Sequence, residues 1–109
     1  MASGFLGKSA PAANTWTNIY TVPSAKVASI TINAVNQSVD PRYIDIAIST
    51  SSTSGGIVAS EYIEYQSPIT GLGSIIERTG LVTDETNGAY VWVRTSATTV
   101  AFQVYGYEE

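Results

Sequence analysis

Two runs of alternating apolar residues, joined by a polar turn, span Lys26 to Ser49 and constrain this chain more than any other stretch. In both runs small or branched apolar side chains recur at every second position. Such a period of two is satisfied by a β-strand with one buried face. The turn, residues 36–41, is rich in turn-forming residues and ends at Pro41, which cannot donate a ladder hydrogen bond. We therefore predict two adjacent antiparallel strands whose isoleucine face organises the core.

The rest of the chain repeats this short period, and no segment has the 3.6-residue period of an amphipathic helix. Further strands are predicted at 16–22, 59–65 and 74–78, and Gly80 separates the last of these from Leu81 and Val82. The final two strands, at 89–94 and 100–105, are predicted to be the strongest. Asn87-Gly88 predicts a tight hairpin, because this pair tolerates positive φ angles. Seven or eight short strands predict an all-β fold, a single antiparallel β-sandwich or jelly-roll-like domain. Its predicted interior is Ile30, Ile32, Ile44, Ile46, Val91, Val93, Phe102 and Val104.

The chain is long enough for one domain with a single core. Residues 1–14 are rich in Ala, Gly, Ser and Pro and lack a sustained period, so they predict an extended N-terminal arm. Residues 15–109 then form the sandwich. Phe5 and Leu6 are the large apolar side chains of the arm, and Lys8 is its charge. Such side chains either fold back on the domain or anchor to a neighbour. We expect the arm to be disordered in isolation and to anchor to a partner, because two apolar side chains offset little backbone entropy.

Composition and charge exclude several classes of partner. The net charge is −4 and the five basic residues are scattered singly, so we predict no binding to nucleic acid, which requires clustered Lys and Arg. No apolar run approaches the roughly 18 residues that a membrane-spanning helix needs, so we predict no membrane partner. The low charged fraction, 13%, is typical of secreted, viral or fibrous β-proteins.

The chain has neither histidine nor cysteine, which removes Ser-His-Asp and Cys-His catalysis and the usual zinc sites. Glu61 and Glu64 are three residues apart on a predicted strand, so they face opposite sides and form no glycosidase-like pair. The turn at 84–88 offers oxygen atoms but lacks the alternating acidic spacing of a calcium loop. We predict a protein that is not an enzyme and that has no catalytic residues, metal ion or cofactor.

The aromatic residues fall largely on strand faces opposite the aliphatic stripe. Two interpretations follow: a subunit interface, which we favour because the chain is poor in charge, or a saccharide platform built on Trp92 and neighbouring tyrosines. The residues predicted at an interface are Phe5, Leu6, Lys8, Tyr43, Trp92, Tyr105 and Tyr107.

Several short segments resemble small structural proteins of tailed bacteriophages, especially phages of cyanobacteria and other aquatic bacteria. These segments are 6–13 (LGKSAPAA), 20–23 (YTVP), 26–28 (KVA), 77–81 (ERTGL) and 104–109 (VYGYEE). The resemblance implies a virion component without enzymatic activity. Because the chain has no repetitive shaft, we expect a capsid decoration (cement) protein on the capsid surface that binds the major capsid protein as a homotrimer. A tail- or fibre-associated adaptor that binds other virion proteins is the alternative, and a free glycan-binding module is a third hypothesis.

Overall fold

The computed structural model describes residues 3–109, and Met1 and Ala2 of the predicted arm lie outside the described residues. Within that range the chain forms eight β-strands joined by loops, two short 3-10 turns and one short helix. The strands are β1 (Ser3–Ser9), β2 (Thr17–Thr21), β3 (Val27–Asn36), β4 (Arg42–Ser49), β5 (Tyr62–Ile69), β6 (Ile75–Asp84), β7 (Tyr90–Thr95) and β8 (Val100–Glu108); the helix α1 is Glu85–Gly88, and the 3-10 turns are Ser54–Gly56 and Ala59–Glu61.

The strands of residues 3–109 form two four-stranded antiparallel sheets that pack face to face. Sheet A has the order β1-β8-β3-β6, and sheet B has the order β2-β7-β4-β5. Only the β4–β5 connection joins neighbours in one sheet; every other connection in the described chain crosses to the opposite sheet. This is the strand order of an eight-stranded jelly roll. The predicted all-β sandwich is therefore confirmed.

The structure corrects the predicted pairing of the two central strands. β3 lies in sheet A and β4 in sheet B, so they are not adjacent. Their isoleucine faces instead meet across the core, where Ile30, Ile32, Ile44 and Ile46 are buried. A period of two identifies which face of a strand is buried, but it does not identify the hydrogen-bonded neighbour.

The predicted interior is confirmed, because all eight of its residues are at most 2% exposed. β3 alternates between buried and more exposed residues along its whole length. β4 and β7 depart from that pattern, since Asp45, Ala47 and Trp92 are buried on the outward side of sheet B. The outer side of sheet B is therefore partly covered, whereas that of sheet A is open.

The pairings of the edge strands contain bulges, whereas those between the central strands do not. The central pairs β3–β8 and β4–β7 run without a register shift. Each of the edge strands β1, β2, β5 and β6 carries at least one shift in its pairing. In β6 the shift accompanies Gly80, whose φ of +70° opens a bulge, so the two predicted segments form one strand. Bulged edges resist pairing with the strands of another chain.

The predicted Asn87-Gly88 hairpin is wrong. The segment forms α1 and crosses from β6 in sheet A to β7 in sheet B. The Asp84 carboxylate caps this helix by accepting hydrogen bonds from the backbone N–H groups of Thr86 (3.0 Å) and Asn87 (2.7 Å). These bonds, that of Asn87 foremost, lower the pKa of Asp84. Asp84 therefore stabilises a helical turn at this position, where the Asn-Gly pair predicted a hairpin turn.

Residues 3–9 of the N-terminal segment run along β8 as the edge strand β1, and residues 13–14 form a turn before β2. Leu6 packs against the hydrophobic core. Gly7 lies so close to β2 that a Cβ atom there would collide with the carbonyl oxygen of Ile19. This part of the segment is thus a strand of sheet A in the structure.

Candidate binding surfaces

The outer surface of sheet A carries large apolar side chains, and we call it the aromatic face. Its members occupy outward register positions of β1, β8 and β6, and they are exposed: Phe5, Tyr105, Tyr107, Ile75 and Val82. Phe5, for example, is 58% exposed and lies opposite Tyr105. Isolated exposed apolar residues are ordinary, but a group of them on one surface of a sheet is typical of a surface that contacts another molecule.

A polar row crosses the middle of the aromatic face. Lys8, Gln103, Asn33 and Glu77 are successive register partners on β1, β8, β3 and β6. The Asn33 amide donates a hydrogen bond to the side-chain oxygen of Gln103 at 3.4 Å. The Tyr105 hydroxyl reaches over β3 and donates to Glu77 at 3.0 Å, which raises the pKa of Tyr105. The cation Lys8 and the anion Glu77 thus lie at opposite ends of this row, and the centre of the row, Gln103 and Asn33, is uncharged.

The bulge in β1 determines which N-terminal side chains reach the aromatic face. The register shifts between Phe5 and Gly7, so Phe5 and Lys8 both point outward while Leu6 turns towards the core. The Lys8 ammonium lies 5.8 Å from the centre of the Phe5 ring, within cation–π range. Of the seven predicted interface residues, the structure therefore brings Phe5, Lys8, Tyr105 and Tyr107 together.

The remaining three predicted residues lie elsewhere. Leu6 is partly buried against the core. Tyr43 is 58% exposed, but it lies on sheet B. Trp92 is only 8% exposed, and its indole N–H donates to the backbone oxygen of Ser51 at 3.1 Å. The loop after β4 therefore contacts the Trp92 side chain, and the predicted saccharide platform on Trp92 is not available at the surface.

A second candidate surface, which is concave, lies on sheet B, and we call it the groove. It has a volume of about 400 Å³. Its lining combines one exposed aromatic ring with amide, hydroxyl and charged groups: Asn14, Tyr43, Asp45, Gln66, Arg94 and Ser96. Of these residues, Tyr43 is among the predicted interface residues and the others are not. The available signal was the opposite charge of Asp45 and Arg94 at outward positions of two predicted strands.

An ion pair forms the floor of the groove. The Arg94 guanidinium donates to Asp45 at 3.0 Å, and the backbone N–H of Gln66 donates to the other Asp45 oxygen at 2.8 Å. The guanidinium also lies over the Trp16 ring at 4.5 Å. Trp16 in turn packs against Tyr62 with ring centres 6.0 Å apart. These contacts restrain the Asp45 and Arg94 side chains at the floor of the groove.

Two glutamates outside these surfaces, Glu61 and Glu64, have structural partners. Glu61 accepts hydrogen bonds from Ser49 and from the backbone N–H groups of Thr50 and Val58, while the Glu64 carboxylate pairs with Arg78. Within residues 3–109, no group of three or more Asp, Glu, His or Cys residues is arranged to hold a metal ion. In the same range, no helix has the length and apolar character needed to cross a membrane.

No protein family, curated protein or solved structure matches this chain.

Proposed function

We propose that this protein is a non-enzymatic structural component of a bacteriophage virion, a capsid decoration (cement) protein that binds the major capsid lattice. The aromatic face is the observation that carries this proposal. The segments that resemble phage structural proteins include 104–109, which supplies Tyr105 and Tyr107 of that face.

The physical character of the aromatic face suits a protein partner. Aromatic residues are enriched in protein interfaces and charged residues are depleted at their centres. Phe5, Tyr105 and Tyr107 supply the aromatic area, and the Lys8–Glu77 row supplies charge only towards the two sheet edges. A nucleic-acid partner would require clustered basic residues, and the five of this chain are dispersed.

Attachment through this face would stabilise the capsid by mass action. A subunit that binds the assembled shell and not its dissociated or unexpanded form shifts the equilibrium towards the shell. In this proposal three copies meet at each three-fold position of the lattice, as a homotrimer. Each copy contributes one aromatic face, so the lattice gains several weak contacts that act together.

The test measures occupancy on phage particles that lack the protein. Purified wild-type protein is added, and its occupancy is compared with that of a Tyr105→Ser/Tyr107→Ser variant. The matched control is Tyr43→Ser/Tyr65→Ser, which removes two exposed tyrosines from sheet B. We expect the first variant to lose most of its occupancy at the wild-type concentration and the control to keep it.

Images of the labelled particles distinguish the possible roles. Label spread over the head supports decoration, whereas label confined to the tail or fibres replaces decoration with the adaptor role. Absence of wild-type binding to the particle, or equal occupancy of both double variants, would refute attachment through the aromatic face. Thermal melting of each variant shows whether it is folded, and so distinguishes a loss of attachment from a loss of structure.

A further inference from the structure

We propose that the groove on sheet B binds a neutral pyranose sugar, a function separate from that of the aromatic face. The groove and the aromatic face belong to opposite sheets, so one chain can use both at once. Ligand sites are typically concave and combine an apolar surface with a few fixed polar groups. The groove has this composition.

The lining matches the two chemical surfaces of a pyranose. A sugar ring presents C–H groups on one face, which pack on an aromatic side chain, and Tyr43 offers an exposed ring. Sugar hydroxyls donate and accept hydrogen bonds around the ring edge. Asn14 and Gln66 contribute amides that do both, and the Ser96 hydroxyl, which accepts from the Tyr43 N–H at 3.0 Å, retains a proton to donate.

The charges in the groove favour a neutral ligand. Asp45 and Arg94 neutralise each other at 3.0 Å, and both Asp45 oxygens already accept hydrogen bonds. An acidic sugar would compete with Asp45 for the Arg94 guanidinium. If it displaced Asp45, the Asp45 carboxylate would lose its cation and would lie close to the negative charge of the sugar. Trp16 stacks on Arg94 and limits the movement that such an exchange needs.

The backbone around the groove is held in an uncommon conformation. Among residues 3–109, four non-glycine residues have a positive φ, and two of them, Asn14 (57°) and Gln66 (46°), line the groove. Each is held by its own N–H, which donates to the Thr95 oxygen at 2.7 Å and to Asp45 at 2.8 Å respectively. Left-handed residues held in this way cluster at binding sites, where they fix side-chain positions in advance.

The experiment is a nuclear magnetic resonance titration of the isotope-labelled protein. The probes are the methyl glycosides of glucose, galactose, mannose and N-acetylglucosamine, with methyl glucuronide as the acidic counterpart. A single shallow subsite predicts a dissociation constant of about 1 mM, so each probe is raised to about 50 mM. We expect at least one neutral glycoside to give saturable shifts of the Tyr43, Gln66 and Ser96 amide signals.

Two variants test the assignment. Tyr43→Ala should raise the dissociation constant about tenfold or more. Tyr107→Ala, which removes an exposed tyrosine from the opposite sheet, should leave it unchanged. The inference is overturned if no neutral glycoside gives saturable shifts, if the shifts map outside the groove, or if methyl glucuronide binds more tightly than every neutral probe.

Discussion

The Tyr20 hydroxyl of sheet B donates a hydrogen bond to the Glu108 carboxylate of sheet A, and both side chains are buried. On the opposite side of the sandwich, Arg78 of β6 pairs with the buried carboxylate of Glu64 on β5. A polar tie therefore joins the two sheets near each open side of the sandwich. In each tie a buried carboxylate depends on one donor from the other sheet, which makes that donor energetically important.

Removal of the Tyr20 hydroxyl should destabilise the domain. Tyr20→Phe keeps the ring in the core but leaves the Glu108 carboxylate buried without this donor. We expect the free energy of unfolding in urea to fall by about 1–3 kcal/mol. Tyr43→Phe removes the hydroxyl of an exposed tyrosine and should change it by less than about 0.5 kcal/mol. Equal stability of Tyr20→Phe and wild type would mean that water solvates Glu108 in solution.

The same pair predicts a dependence of stability on alkaline pH. Burial, followed by the hydrogen bond to Glu108 and its negative charge, raises the pKa of Tyr20 well above its ordinary value of 10.0. The stabilisation from the neutral folded phenol is complete below pH 10 and is lost as the pH rises from there towards the folded pKa, since the unfolded chain ionises first. The unfolding free energy of wild type should fall more steeply above pH 10 than that of Tyr20→Phe. Parallel pH profiles would contradict the assignment.

The Glu64–Arg78 pair should show a large coupling energy. Arg78→Met leaves a buried carboxylate without its cation, and because Arg78 is half exposed we expect a loss of about 1–3 kcal/mol of unfolding free energy. Adding Glu64→Gln to that variant removes the buried charge and should recover part of the loss. Asp40→Asn disrupts the exposed 3.8 Å pair with Arg42 and should cost less than about 1 kcal/mol. A purely additive double variant would argue against direct coupling.

Local sequence pattern predicted the buried faces well but the strand partners poorly. Ile30 and Ile44 were placed in the core because their period of two depends on the chain immediately around them. The assignment of β3 and β4 to opposite sheets depends on which distant strands pair with them, and no local period carries that information. Trp92 shows the same limit, since its exposure depends on a loop that contacts it at Ser51.

The groove was beyond local prediction for a similar reason. Asn14 precedes β2 and Gln66 lies in a bulge of β5, and only the jelly-roll order brings them to one surface. Composition gave no signal for either residue, because asparagine and glutamine are ordinary surface residues. The aromatic face could be anticipated in part, since Tyr105 and Tyr107 alternate with buried residues along β8.

Substitution of Asn36 by its isostere Asp should strongly destabilise the fold. This buried amide donates to the backbone oxygens of Asp40 (2.9 Å), Ile69 (3.2 Å) and Thr70 (3.2 Å), and so joins the β3–β4 and β5–β6 loops. Asn36→Asp would place a carboxylate oxygen against three carbonyl oxygens. We expect a loss of at least about 3 kcal/mol in unfolding free energy, or failure to fold.

The control for that substitution is Asn14→Asp, the same change at an exposed residue, which should leave stability within about 0.5 kcal/mol. A folded Asn36→Asp protein of wild-type stability would show that the two loops are held together by other contacts. Asn36-Gln37-Ser38 matches the Asn-x-Ser pattern of an N-glycosylation acceptor, but the burial of Asn36 means that the folded chain does not present this site for glycosylation.

Substitutions at two neighbouring residues of β1, Phe5 and Leu6, should distinguish a role of the N-terminal segment in stability from a role in attachment to the particle. Leu6 packs on the core while Phe5 faces solvent, so Leu6→Ala should lower the unfolding free energy by about 1–3 kcal/mol and Phe5→Ala by less than about 0.5 kcal/mol. Gly7→Ala should also destabilise, because its Cβ would collide with the Ile19 carbonyl. Phe5→Ala should instead reduce occupancy on the particle. If Leu6→Ala and Gly7→Ala both have the same urea midpoint of unfolding as wild type, then β1 is detached in solution. The segment is in that case the partner-anchored arm that the sequence predicts.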